Sequence, residues 1–125
     1  MVTNNKTILI ADDDESLRRI IEYNLSNKGY RIFLADDGEE ALNIFKSEDV
    51  DIVITDIKME KVDGLELLEE IKRLKSNALV IMITAHGSIE TAVKAMKLGA
   101  YDYITKPFDR DELQIIIEKA QNLQS

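Results

Sequence analysis

The chain has 125 residues, which fits one domain with a core of its own. Acidic residues outnumber Lys and Arg by 24 to 16, and the net charge of -8 disfavours direct binding to nucleic acid or to an anionic membrane. The absence of cysteine excludes disulfides, thiol catalysis and cysteine-ligated metals, and a cytoplasmic location is expected.

Five short apolar runs predict β-strands that alternate with helices along the whole chain. They are Ile8–Ala11, Tyr30–Ala35, Ile52–Thr55, Leu79–Thr84 and Tyr101–Thr105. The first, third and fourth runs consist largely of Ile, Leu and Val, which is typical of strands covered by helices on both faces. The alternation therefore predicts an α/β domain of repeated βα units around one parallel sheet.

Apolar residues at helical spacing lie between the predicted strands. The first stripe is Leu17, Ile20, Ile21 and Leu25, and the fourth is Ile89, Val93 and Met96. Asp36 and Glu39 have the spacing of a capping box, which predicts that the second helix begins at Asp36. Asp14 is interpreted as the N-cap of the first helix, and Gly29 as the left-handed residue that follows it.

The side chains that could carry chemistry follow the predicted strands. Asp12 and Asp13 follow the first strand, Asp56 the third, Thr84 ends the fourth, and Lys106 follows the fifth. The carboxyl ends of parallel strands face one edge of the sheet, where sites form. Clustered carboxylates repel one another unless a cation lies between them, and Mg2+ suits a few carboxylates, waters and a phosphoryl oxygen. The sequence therefore predicts a Mg2+ site at this edge.

Each of these residues alone has an ordinary structural explanation. Acidic pairs are usually solvated surface, an Asp after a strand is a common turn residue, Thr is common in strands, and Lys before Pro can simply end one. The functional interpretation depends on all four groups meeting at one edge. His86 is the only histidine, which disfavours histidine-rich metal sites and a Ser/His/Asp triad.

The joint pattern resembles a known family. Its elements are Asp12-Asp13, Asp56, Thr84-Ala85, Tyr103 and Lys106-Pro107-Phe108. Together they resemble the receiver domain of two-component response regulators, over essentially the full chain, residues 1–125. The resemblance implies a flavodoxin-like, doubly wound three-layer sandwich with five helices and strand order 2-1-3-4-5. It also implies a phosphoacceptor signalling domain, rather than an enzyme, that a sensor histidine kinase or phosphotransfer protein phosphorylates.

The resemblance implies a role for each acid. Asp56 is the expected phosphoacceptor, Asp13 a direct Mg2+ ligand, and Asp12 a ligand that acts mainly through water. The backbone carbonyl of Lys58 is expected to complete the protein's share of the metal shell.

The same resemblance implies partners for the phosphoryl group. Lys106 is expected to pair with phosphoryl oxygens, and the Thr84 hydroxyl and the Ala85 amide are expected to donate to them. Tyr103 resembles the family's switch aromatic, and the Lys106-Pro107 bond is expected to be cis.

Two other functions compete with this interpretation. One is a small Mg2+-dependent phosphohydrolase with an aspartate nucleophile, whose motif at Asp12-Asp13-Asp14 would require Thr or Val where Glu15-Ser16 stands. The other is a flavin-binding electron carrier, which shares the strand order but needs a Ser/Thr/Gly-rich phosphate cradle where this chain has acids.

Two further features bear on the wider protein. Glu60 stands where many receiver domains have Pro, which changes no proposed ligand side chain. A DNA-binding output domain does not fit within 125 residues. We therefore expect either a stand-alone receiver or the N-terminal part of a longer regulator that acts through an output domain or an effector protein.

Overall fold

The structure is a computed structural model that describes residues 6–59, 61–84 and 89–123. Strands and helices alternate along these residues. The strands are β1 (Thr7–Ala11), β2 (Arg31–Ala35), β3 (Ile52–Asp56), β4 (Leu79–Thr84) and β5 (Asp102–Thr105). The helices are α1 (Glu15–Ser26), α2 (Gly38–Ser47), α3 (Gly64–Leu74), α4 (Ile89–Lys97) and α5 (Arg110–Leu123). The two edge strands, β2 and β5, each begin one residue later than the apolar pattern predicts.

All five strands are parallel and lie in the order β2-β1-β3-β4-β5. This order confirms the predicted doubly wound, flavodoxin-like fold. After β1 the chain continues to β2, on one side of β1 in the sheet, and after β3 it continues to β4, on the opposite side of β3. The loops that follow β1 and β3 therefore lead in opposite directions. Such a divergence opens a crevice at the carboxyl ends of the strands, and ligands bind there in this class of fold.

Two apolar clusters cover the two faces of the sheet. Leu9 and Val53 contribute to the cluster on the face that includes residues of α2, α3 and α4. Ile10 and Ile54 contribute to the cluster that includes residues of α1 and α5. Successive strand residues point to opposite faces, so strands covered on both sides need apolar residues at nearly every position. This explains the near-continuous apolar runs of β1, β3 and β4.

The start of α2 differs from the prediction by one residue. Asp37, and not Asp36, is the N-cap, because its Oδ1 accepts from the amide of Glu40 at 2.8 Å. Glu40 in turn accepts from the amide of Asp36 at 2.9 Å, which completes a capping arrangement shifted along the chain. At the other predicted cap, Asp14 accepts from the amide of Leu17 at 3.2 Å, as expected.

The fourth helix faces the sheet with smaller residues than predicted. Ala92 and Ala95 are its buried residues, whereas Ile89, Val93 and Met96 are exposed. The predicted fourth apolar stripe therefore faces outward, and the small residues lie against the sheet.

No helix in the described part of the chain is long and apolar enough to cross a membrane.

Candidate functional site

Three carboxylates meet at the carboxyl edge of the sheet. Asp12 and Asp13 lie in the loop after β1, and Asp56 is the last residue of β3. Each offers an oxygen, and these oxygens lie within 4.8 Å of one another. Asp12 is fully buried, Asp56 is buried and Asp13 is exposed. The structure thus brings together the three acids that the sequence predicted would meet.

Lys106 places an ammonium group among these acids. Its Nζ lies 2.9 Å from Oδ2 of Asp56 and 3.2 Å from Oδ2 of Asp12. Burial by itself lowers the pKa of Lys106, but its hydrogen bond to Asp56 and the charges of both acids outweigh burial and leave the pKa raised. The Lys106-Pro107 peptide bond is cis, as the resemblance implied. Lys106 therefore carries its charge at neutral pH.

Asp12 occupies an unfavourable place for a charged group. Burial raises its pKa, the hydrogen bond from the amide of Asp14 lowers it, and repulsion from Asp56 raises it; with the smaller effect of Lys106, the pKa is raised overall. The amide of Asp14 donates to Oδ1 at 2.8 Å, whereas the buried Oδ2 lies 3.2 Å from the Lys106 ammonium but has no hydrogen bond of good geometry among the described residues. An acid cluster with such an oxygen fits a hard divalent cation, whose ligands are oxygens.

The other predicted site residues lie around this cluster. Thr84 is buried at the end of β4, one residue beyond Ile83, which pairs with Asp56 of β3. The amide of Lys58 donates to Oδ1 of Asp56 at 3.2 Å, and its side chain is exposed. Tyr103 lies in the edge strand β5 with 44% of its surface exposed. Ala85 and His86 lie outside the described residues.

Two contacts at the site involve residues that the sequence interpretation did not single out. Arg18 donates from its guanidinium to the backbone carbonyl of Asp12, which holds the loop after β1. Gly64 lies so close to Asp56 that an added Cβ would be 2.2 Å from the carbonyl oxygen of that residue. Arg18 follows the Asp14 cap by about one helical turn, which is a spacing that the sequence shows. Its acceptor is a backbone carbonyl, however, and every residue has one, so the sequence does not predict this contact.

Known proteins resemble this chain over most of its length. The regulatory protein AtoC of Escherichia coli is 40% identical over 118 residues, which cover 94% of this chain and 26% of that protein. A putative NtrX-like response regulator of Rickettsia felis is 45% identical over 115 residues, which cover 90% of this chain and 24% of that protein. The chain thus spans about a quarter of the length of these relatives.

Solved structures show the same fold. A response regulator receiver domain protein from Clostridium thermocellum superposes with a TM-score of 0.90 at 36% identity, over 95% of this chain and 96% of that one. NtrX from Brucella abortus, solved in complex with ADP, superposes with a TM-score of 0.91 at 38% identity, over 96% of this chain and 28% of that one.

The match to a family extends over residues 8–118, which fit the response regulator receiver domain. These similarities favour a phosphoacceptor signalling role over the phosphohydrolase alternative. The chain belongs to the response regulator receiver domain family.

Proposed function

We propose that residues 1–125 form a receiver that accepts a phosphoryl group on Asp56 from a histidine kinase or phosphotransfer protein, in a Mg2+-dependent reaction. The observation that carries this proposal is the environment of the Asp56 carboxylate. One of its oxygens is paired with Lys106 at 2.9 Å, and the same carboxylate belongs to a cluster of three acids. A nucleophilic carboxylate between a fixed cation and a metal site suits phosphoryl transfer.

Asp56 attacks as the ionised carboxylate. The ammonium of Lys106 lies within hydrogen-bonding distance of that carboxylate and keeps its charge at neutral pH. The backbone of β3 holds Asp56 in place, since its neighbours in the strand pair on both sides. The nucleophile is therefore oriented before a phosphodonor arrives, which lowers the entropic cost of transfer.

The proposed ligands of Mg2+ are the carboxylates of Asp12, Asp13 and Asp56 and the backbone carbonyl of Lys58. When bound there, Mg2+ would neutralise charge on the phosphoryl oxygens. The buried Oδ2 of Asp12 supports the assignment, because it has no good hydrogen bond among the residues that the structure describes. Asp13 is the exposed member of the cluster, so it can bind an ion that keeps several waters.

Lys106 and Thr84 are the proposed partners of the phosphoryl oxygens, together with the amide of Ala85. Lys106 already contacts Asp56, so it can meet an oxygen of the new group with little rearrangement. The hydroxyl of Thr84 is drawn toward that group, and the space it leaves lets the exposed Tyr103 rotate inward. This movement is the proposed signal to an output domain or effector protein.

The proposed role is that of a signalling domain that catalyses its own phosphorylation and slow dephosphorylation. A cytoplasmic location is part of the proposal, and the lack of cysteine is compatible with a reducing compartment. The net charge of -8 supports protein partners over direct binding to nucleic acid or membrane.

The test is phosphorylation with acetyl phosphate and Mg2+, followed by intact mass spectrometry. We expect one base-labile phosphoryl group on the parent and none on Asp56→Asn. Asp49→Asn is the matched control, because the Asp49 side chain is 97% exposed and precedes the amino end of β3, opposite the edge that carries the site, so it should be modified like the parent. Equal modification of Asp56→Asn and the parent would exclude Asp56 as the acceptor.

A further inference from the structure

The loop between β3 and α3, described for residues 57–59 and 61–63, contacts the start of α2 through Lys61 and Val62. Gly38 is the first residue of α2 and is buried. A Cβ built on Gly38 would lie 1.7 Å from the carbonyl oxygen of Val62 and 2.6 Å from its carbonyl carbon. These are backbone atoms, so a side chain at residue 38 forces either the loop or the helix to move.

The same loop is held closely at its two ends. At its start, the amide of Ile57 donates to the carbonyl of Ile83 at 3.1 Å. At its end, the amide of Gly64 donates to the carbonyl of Ile57 at 2.7 Å, and a Cβ on Gly64 would lie 2.2 Å from the Asp56 carbonyl oxygen. A short loop with both ends held cannot absorb a displacement in its middle without moving its other residues.

A second contact joins the loop to α2 beside the first. Lys61 has a left-handed backbone, with φ at 66°, which an L residue adopts at a cost. Its ammonium lies 3.5 Å from Oδ2 of Asp37, the N-cap of α2. The Lys61 side chain is exposed, and exposed ion pairs contribute little free energy. The steric contact between Gly38 and Val62 is therefore the stronger constraint.

We propose that Gly38 is a positioning residue for the metal site: its missing side chain lets the Val62 carbonyl lie on α2, and this contact sets where the loop presents the Lys58 carbonyl. The inference rests on the proposed function, in which that carbonyl is a Mg2+ ligand. Lys58 is tied to the site from the other side, since its amide donates to Oδ1 of Asp56. A displaced loop therefore moves both groups relative to the acids.

The test compares Mg2+ binding of the parent, Gly38→Ala and Gly29→Ala by titration monitored in amide NMR spectra. We expect Gly38→Ala to need about tenfold more Mg2+ for half-saturation, as for other groups that orient metal ligands. Gly29→Ala is the matched control: its φ of 91° makes the same substitution destabilising, and it lies after α1, away from the loop. Its half-saturation should stay within about twofold of the parent.

A second variant, at Lys61, tests the contact between the loop and α2 without adding an atom to either. Lys61→Gly removes the ammonium and frees the backbone at the left-handed position, so we expect a folded protein whose spectrum matches the parent's outside this loop, and about threefold weaker Mg2+ binding. In both variants, the spectrum without metal should change at residues 57–63. Both variants binding Mg2+ like the parent would overturn the inference and leave Gly38 a packing residue only. A parent that does not bind Mg2+ would instead overturn the proposed metal centre, and this inference with it.

Discussion

Lys106 and Asp56 are 50 positions apart in the sequence, yet Nζ of the first lies 2.9 Å from Oδ2 of the second. They come from the ends of β5 and β3, which are separated in the sheet by β4. The same ammonium also reaches Asp12 at the end of β1, so a single cation joins three strand ends. Without a divalent ion, this one charge offsets several acids only in part.

Asp12→Asn is expected to make the metal-free protein more stable at neutral pH. The pKa of Asp12 is raised above its ordinary value of 3.8, with burial as the largest cause. An acid whose pKa rises on folding makes the fold less stable as pH increases from its unfolded value through its folded one, and the loss persists at higher pH. We expect a gain of about 1 kcal/mol in the free energy of unfolding at neutral pH.

Urea unfolding of Asp12→Asn and the parent, at neutral and mildly acid pH, measures this gain. The difference should shrink at acid pH, where the parent's Asp12 is protonated. It should also shrink when Mg2+ is added, because the parent gains stability by binding the ion. A parent as stable as Asp12→Asn at neutral pH without Mg2+ would contradict the prediction.

Asp13→Ala and Asp14→Ala are expected to separate metal binding from helix capping. Asp13 belongs to the acid cluster, whereas Asp14 accepts from the amide of Leu17 as the cap of α1. Asp13→Ala should abolish phosphorylation by acetyl phosphate. Asp14→Ala should lower the free energy of unfolding by about 1 kcal/mol and remain competent for phosphorylation. Equal losses of phosphorylation in the two variants would overturn the assignment.

Lys58→Ala is expected to change the rate of dephosphorylation while phosphorylation stays nearly intact. The Lys58 side chain is exposed beside Asp56, and the substitution keeps the backbone carbonyl and the amide that donates to Asp56. His86→Ala is predicted from the sequence to behave alike, since His86 follows Thr84 by two positions. Decay of the phosphorylated forms is measured by intact mass over time. Decay at the parental rate in both variants would show that neither side chain affects dephosphorylation.

Ile115→Glu and Thr84→Ala test the proposed route to the output. Ile115 is 54% exposed on α5, and Tyr103 is exposed on β5, which contacts α5. We expect both substitutions to weaken phosphorylation-dependent association with a cognate partner or a second copy of the domain, as measured by size-exclusion chromatography or calorimetry. Unchanged association of Ile115→Glu would make the apolar residue incidental. Full association of phosphorylated Thr84→Ala would exclude coupling through Thr84.

The acids of the site could be predicted because their position depends on strand order alone. Asp56 ends a strand that reads as apolar on both faces, and parallel strands bring such ends to one edge. The start of α2 could not be settled, because Asp36 with Glu39 and Asp37 with Glu40 have the same spacing. A capping pattern that occurs in two registers does not identify which one the tertiary contacts select.

The orientation of α4 shows a second limit of pattern reading. Its sequence offers two apolar faces, one of Ile, Val and Met and one that includes Ala92 and Ala95. Hydrophobicity favours burying the larger face, but the helix lies against the sheet with the smaller one. Close approach of backbones, like that of Gly38 to Val62, depends on distances that no local pattern encodes.

The position of α5 has a consequence for how the chain is made. α5 supplies Leu113, Ile117 and Ala120 to the cluster that covers one face of the sheet. Lys106 lies between β5 and that helix, so both leave the ribosome after the other strands and helices described here. A nascent chain without this segment has an apolar sheet face covered by α1 alone and lacks the ammonium that pairs with Asp56 and Asp12. The cluster of acids therefore receives its ammonium partner only when the last helix is available to cover the sheet.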